Sequence, residues 1–282
     1  MTEKPNTGLT EQGALTKARL YTGEENLAIH SFETPLGSMA VAIAACAEKS
    51  GPNEDSAALI PVGENCFVLA IADGVGGMPT GRKASNLAIQ SLRNALRNVD
   101  GANVRSAILD GIESANRSLL ELGSGSSTTL VVAAIRQGHV RTYHVGDSAA
   151  WLCGQRGAMK LQTMPHSPVG LAFHAGLINE DEALGHDQLH IISNVMGSND
   201  MRIEIGPRFP IAPRDTLLLA SDGLFDNMLQ DEIVEIIRKG PVGPAVAELW
   251  KLARQRMDGT DKEKPSKPDD FSAILFRPNR QS

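Results

Sequence analysis

Several carboxylates stand at the ends of apolar runs that read as strands. Asp73 follows the run 67–72 and precedes Gly74; Asp222 follows 217–220 and precedes Gly223; Asp147 follows 143–145 beside Gly146. Glu54 and Asp55 stand just before the run 57–60, and Asp269 and Asp270 just before 271–276. One strand-end Asp-Gly is ordinarily only a turn. Gathered at one end of a sheet, such groups repel: at ~4 Å and an effective dielectric of ~20, each pair costs about 4 kcal/mol. A cluster of this kind requires cations. Hard divalent ions such as Mg2+ or Mn2+ prefer the carboxylate and carbonyl oxygens on offer. Two ions sharing a carboxylate would hold and activate a water nucleophile, an arrangement suited to phosphate esters.

Other chemistry finds little support. There is no Walker-type phosphate loop, and Gly123-Ser124-Gly125-Ser126-Ser127 matches neither a dinucleotide fingerprint nor a nucleophile elbow. His139 and His144 read as strand residues. His166, His174, His186 and His190 lack metal-ligand spacing and read as residues of a lid.

Short apolar runs at 38–46, 57–60, 66–72, 128–135, 140–145, 149–153, 216–220 and 271–276 predict strands. Gln137-Gly138 and Gly146-Asp147-Ser148 separate consecutive runs, so the strands form antiparallel hairpins and not helix-connected crossovers. Apolar residues recur every three or four positions from Ala84 to Val99 and from Val104 to Leu122, predicting two amphipathic helices joined by the short turn 100–103. A second pair is expected at 231–239 and 246–257, with Gly240-Pro241 between them. The expected class is α+β: a four-layer αββα sandwich, two antiparallel sheets with paired helices on each outer face. Residues 1–30 lack periodicity and are expected to form a loosely held arm before a single domain, 31–282. The stretch 155–198 is too long for a plain connection and reads as a flap. The charged run 258–268 reads as a solvated loop.

Composition narrows the partners. Lys plus Arg number 27 against 33 Asp plus Glu, a net charge of −6 without an offsetting basic run. An acidic surface repels nucleic acid and anionic membrane, so neither is expected as a partner. Cys46, Cys66 and Cys153 are odd in number and far apart, writing no disulfide framework. No signal-peptide pattern opens the chain, and the longest apolar run is about half of what spans a bilayer. The expected compartment is the cytoplasm.

In chain order, the motifs Pro52-Asn53-Glu54-Asp55-Ser56, Ala72-Asp73-Gly74-Val75-Gly76-Gly77, Ser126-Ser127-Thr128-Thr129-Leu130, Val145-Gly146-Asp147-Ser148-Ala149, His166-Ser167-Pro168-Val169, Ser221-Asp222-Gly223-Leu224-Phe225-Asp226 and Asp269-Asp270-Phe271-Ser272 resemble the metal-dependent protein phosphatases, the type 2C serine/threonine class, in bacterial form. The resemblance implies hydrolysis of phosphoserine and phosphothreonine in proteins by a metal-bridged water, opposing a Ser/Thr kinase. A catalytically silent scaffold of the same fold is the alternative, disfavoured because Asp73, Asp222 and Asp269 are all present. The resemblance further implies that Asp73 bridges two ions, with the Gly74 carbonyl on one of them. Asp222 and Asp269 complete the first ion, and Glu54 and Asp55 serve the second. Asp147, Asp222 and Asp226 match a weaker third site. The segment 155–198 becomes the flap beside the active site.

Three departures stand out. Relatives often carry a phosphate-binding Arg where this chain has Ser50, and the adjacent Lys49 is expected to substitute if the backbone there is irregular. Val75 replaces the His of many eukaryotic members. The closing motif is Asp-Asp where Asp-Asn is usual, which adds a negative charge.

Overall fold

A computed structural model describes residues 9–23, 26–49, 51–75, 80–260 and 264–279. One sheet contains, in spatial order, β1 (Leu9–Gln12), β3 (Ala28–Thr34), β4 (Gly37–Ala44), β15 (Phe271–Pro278), β14 (Thr216–Ala220), β10 (Ala149–Cys153) and β11 (Met159–Gln162). The second runs β12 (Glu204–Ile205), β9 (His139–Val145), β8 (Leu130–Arg136), β6 (Cys66–Val75), β5 (Asp55–Pro61) and β2 (Arg19–Thr22). Beside that path, β13 (Phe209–Pro210) pairs with β9 and β7 (Ser127–Thr128) with β6. Pairing is antiparallel except at the edge, where β1 runs parallel to β3.

Alternation divides each strand's side chains between two cores. Leu59, Leu69, Ile71, Val131 and Ala133 of one sheet meet Val41, Ile43, Leu217, Leu219 and Ile274 of the other in the central layer. Ala58, Val68, Ala70 and Val132 turn outward against α1 (Thr80–Ala95) and α2 (Val104–Glu121). On the opposite face, Ala40, Leu218, Ala273 and Leu275 pack against α6 (Gln230–Ile237) and α7 (Val242–Met257). The short helices α3 (Pro168–His174), α4 (Glu180–Leu184) and α5 (Asp222–Phe225) complete the set. The expected helix–sheet–sheet–helix order is present, and all three cysteines are buried and unpaired.

The fold corrects the sequence reading at several points. The arm expected over 1–30 is not loose across its described part: β1 and β2 extend the two sheets, and Leu15 and Tyr21 are buried in the central core. Strands this short carry too little periodicity to be seen without their partners. The stretch 155–198 does not begin as a flap, because β11 pairs with β10 and belongs to the sheet. Helix α7 starts before the expected Val246, since Pro244 lies in its first turn, where a missing N–H costs nothing.

Register decides the rest. Asp55 opens β5 opposite Asp73 near the end of β6. Ala220 closes β14 opposite Ala273 near the start of β15, and Phe271 opens β15 opposite Ala44, the last residue of β4. Antiparallel pairing thus brings strand beginnings and strand endings to one end of the sandwich.

Candidate active site

The carboxylates collect at that end, along an open groove of about 720 Å³ whose lining includes Lys49, Glu54, Asp73, Asp222, His190 and Lys267. Local structure fixes Asp73 from both sides. Its carbonyl accepts from the Thr129 N–H at 2.8 Å and the Thr128 hydroxyl at 2.7 Å, and its own N–H donates to Thr129 Oγ1 at 3.1 Å. The Ser-Thr-Thr motif therefore serves as a backbone clamp on Asp73. Gly74 is required by close approach: a Cβ there would lie 2.3 Å from the Gly81 carbonyl group, and one on Gly81 would lie 2.4 Å from Glu54 Oε1. The first turn of α1 is thereby seated against both Gly74 and Glu54.

Glu54 and Asp55 are buried at the start of β5. The Ser221 hydroxyl donates to Asp55 Oδ2 at 2.7 Å. Asp270 takes the role the sequence left open. Its two oxygens accept from the N–H groups of Cys46 and Glu54, at 2.8 and 2.9 Å, so the extra carboxylate ties β15 to both ends of the β4–β5 connection. Two bonded backbone donors absorb the negative charge that the Asp-Asp motif adds. The partner atoms lie more than two hundred positions away in sequence, so no local signal marks them.

Charge and burial act together on the cluster. Burial, then the neighbouring charges of Asp55, Asp222, Asp269 and Asp147, raise the Asp73 carboxyl well above the ordinary range. Burial and Asp270 do the same to Asp55 against the opposing Ser221 bond. Burial and Asp222 push Asp147 up to about 7 and Asp226 up to about 8. Glu54 and Asp269 are also raised, chiefly by burial. Such shifts mark carboxylates forced together without enough compensating charge.

Whether divalent ions suit this donor set can be read from its unpaired atoms. Glu54 Oε1, Asp55 Oδ1, Asp147 Oδ1 and Asp222 Oδ1 are buried with no hydrogen-bond partner. Buried carboxylate oxygens are costly when unpaired, and hard cations are their natural partners. Oxygen donors of this kind suit hard divalent ions.

Two lysines reach the same cluster. Lys49 forms an ion pair with Asp269 from the turn after β4, so the irregular backbone that its reach demanded is present. Ser50 lies outside the described residues, as do Gly76 and Gly77. The second is Lys267, which the sequence assigned to a solvated loop. Its ammonium lies 2.6 Å from Asp222 Oδ2 and 2.6 Å from Asp226 Oδ2. Asp222 and Asp226 thus meet at a side-chain cation, and within the set Asp147, Asp222 and Asp226 only Asp222 has its carboxyl lowered, where Lys267 works against its burial.

The segment after β11 borders the groove through His190 and Ile192. His166 anchors it: Nδ1 accepts from the Gly146 N–H at 3.0 Å and from Asn194 Nδ2 at 2.9 Å, and Ser193 returns two bonds to the His166 carbonyl. His166 also stacks on His144 at 4.5 Å and meets Glu204 at 3.2 Å. These three could approach a common metal, but His144 Nε2 already lies 2.8 Å from the Met164 carbonyl, and stacked rings direct their lone pairs side by side. The trio ties the segment after β11 to the sheet.

Known proteins resemble this chain in sequence and in fold. The family description "Protein phosphatase 2C" matches residues 44–263. The serine/threonine phosphatase stp of Listeria monocytogenes is 28% identical over 220 residues, covering 74% of this chain and 86% of that one. The serine/threonine phosphatase structure from S. agalactiae superposes with a TM-score of 0.72 at 24% identity, covering 93% of this chain and 100% of that chain. The catalytic domain of the phosphatase PstP, solved with two manganese ions, superposes with a TM-score of 0.68 at 24% identity, covering 86% of this chain and 98% of that one. The family match covers more than half of the chain and includes Glu54, Asp55, Asp73, Asp147, Asp222 and Asp226, so the chain belongs to the protein phosphatase 2C family.

Proposed function

We propose that this chain is a metal-dependent serine/threonine phosphoprotein phosphatase using Mn2+ or Mg2+. The observation that carries the reading is the set of buried, unpartnered carboxylate oxygens on Glu54, Asp55 and Asp222 at one end of the sandwich, around Asp73. Asp73, Asp222 and Asp269 would hold one ion, and Asp73, the Gly74 carbonyl, Glu54 and Asp55 the other. When bound, the ions supply the positive charge and the activated water needed to hydrolyse a phosphate monoester.

The chain's own residues bind and orient. Thr128 and Thr129 hold the Asp73 backbone, Ser221 and Asp270 hold the β5 entrance, and Lys49 offers a cation at the groove's rim for the substrate phosphate. Lysine serves there as a point charge without the paired donors of an arginine fork. The groove is open, which suits a phosphorylated side chain presented on a protein surface. The natural substrates are phosphoserine and phosphothreonine proteins, opposing a Ser/Thr kinase in the cytoplasm. No helix among the described residues is long and apolar enough to cross a membrane.

The test is hydrolysis of a phosphothreonine peptide with Mn2+, in EDTA, and after metal is returned. Activity that vanishes with chelation and returns with metal supports the reading. Full activity in chelator removes it, and no activity in any condition favours a silent scaffold.

A further inference from the structure

We propose that Lys267 is a built-in cation that takes the place of a third metal ion beside the catalytic carboxylates. Its ammonium lies 2.6 Å from Asp222 Oδ2, 2.6 Å from Asp226 Oδ2 and 3.7 Å from Asp269 Oδ2. Two charge-assisted contacts of that length engage the same oxygens that a divalent ion at Asp222 and Asp226 would need. The two cations cannot occupy one position.

The lysine is delivered there by its backbone. The Lys267 N–H donates to Asn227 Oδ1 at 2.8 Å, and Asn227 Nδ2 donates back to the Lys267 carbonyl at 2.9 Å. Asn227 is fully buried, and its amide nitrogen also donates to the Gly223 carbonyl at 3.0 Å. One side-chain amide therefore clamps Lys267 to α5, the helix that carries Asp222. Pro268 follows, restricting the chain before Asp269. This fixes the Lys267 backbone beside the carboxylates by a built hydrogen-bond pair, within reach of which the ammonium meets Asp222 and Asp226.

The consequence for the site is a division of labour on Asp222. Oδ2 is committed to Lys267, while Oδ1 is buried and unpartnered. Lys267 is thus a positioning residue for Asp222 and a fixed partner of Asp226. A tethered ammonium does not dissociate at low metal concentration, so occupancy of this position becomes independent of ion supply.

The inference rests on the two-ion reading above, and its test is a count of bound ions, not a rate. Equilibrium dialysis against millimolar Mn2+ should find two ions on the wild-type chain and three on Lys267→Ala, the third held more weakly. The double variant Lys267→Ala with Asp226→Ala should return to two. A third ion on the wild type overturns the inference, as does Lys267→Ala binding no more ions than the wild type. The wild-type count stands even if the variant folds poorly, and Mn2+ in the dialysis restores the charge that the variant lacks. A wild-type chain that binds no Mn2+ overturns the two-ion reading instead, while the difference of one ion between wild type and Lys267→Ala still tests the lysine.

Discussion

The Ser221 hydroxyl donates to the Asp55 carboxylate at 2.7 Å, joining the end of β14 in one sheet to the start of β5 in the other. Ser221 also accepts from the Ser272 N–H at 3.1 Å, so one hydroxyl fixes three strand ends. Asp55 Oδ1 has no partner of its own. Ser221→Ala should destabilise the metal-free protein by about 1–3 kcal/mol, the range for leaving a buried hydrogen-bonding group unsatisfied. Urea unfolding in EDTA measures this, and Mn2+ should recover part of the loss. An unchanged midpoint would show that the bond contributes nothing.

Asp73 stands among the charges of Asp55, Asp222, Asp269 and Asp147. Asp73→Asn should lower turnover of a phosphopeptide more than tenfold, at least about 1.4 kcal/mol of barrier. The same change removes repulsion, so the melting temperature in chelator should hold or rise. Retention of more than about a tenth of wild-type turnover counts against its central role.

The raised carboxyls give the metal-free protein a distinctive pH dependence. Asp147 at about 7 and Asp226 at about 8 bind protons in the folded chain that the unfolded chain has already released. Stability from this source is fully present below the ordinary Asp value near 4 and is lost as pH rises through about 7 to 8. Buried His144, whose proton affinity is lowered by burial, acts oppositely as pH falls below about 6.5. The separating measurement is the rise in melting temperature on adding Mn2+, which should be larger at pH 8 than at pH 5.5 because metals bind the deprotonated carboxylates. Equal rises at both pH values would contradict it.

Asp270 satisfies two buried N–H groups with its two oxygens. Asp270→Ala orphans both and should cost at least about 2 kcal/mol, at about 1–3 for each unsatisfied group. Asp270→Asn keeps one acceptor and should fall between. Because the Glu54 N–H is one of the donors, both variants should also weaken Mn2+ binding, measurable by titration.

Lys49 pairs with Asp269 at the rim of the groove. If it also holds substrate phosphate, Lys49→Ala raises KM for a phosphopeptide several-fold with a smaller change in kcat, since it removes binding common to ground and transition states. Ser50→Arg should lower KM. An unchanged KM in Lys49→Ala would leave Asp269 as the lysine's only partner.

Much of this was legible in the chain itself. The period of the apolar residues determined the sheets and the helix pairs, because burial of one face depends on local spacing alone. The carboxylates Asp73, Asp147 and Asp222 announced themselves because a charge ending an apolar strand is a local contrast. What remained hidden depended on contacts distant in sequence. Strands β1 and β2 exist because a sheet edge already stands beside them. Asp270 acquires its meaning from Cys46 and Glu54, and Lys267 from Asn227, Asp222 and Asp226. A lysine in a polar, proline-flanked run looks like any solvated lysine; only the packed chain shows that its stem turns inward. Local pattern thus determined which elements form and which residues are chemically unusual. Tertiary structure decided which charges meet, because Coulomb energy and hydrogen bonds act through distance in space and not along the chain.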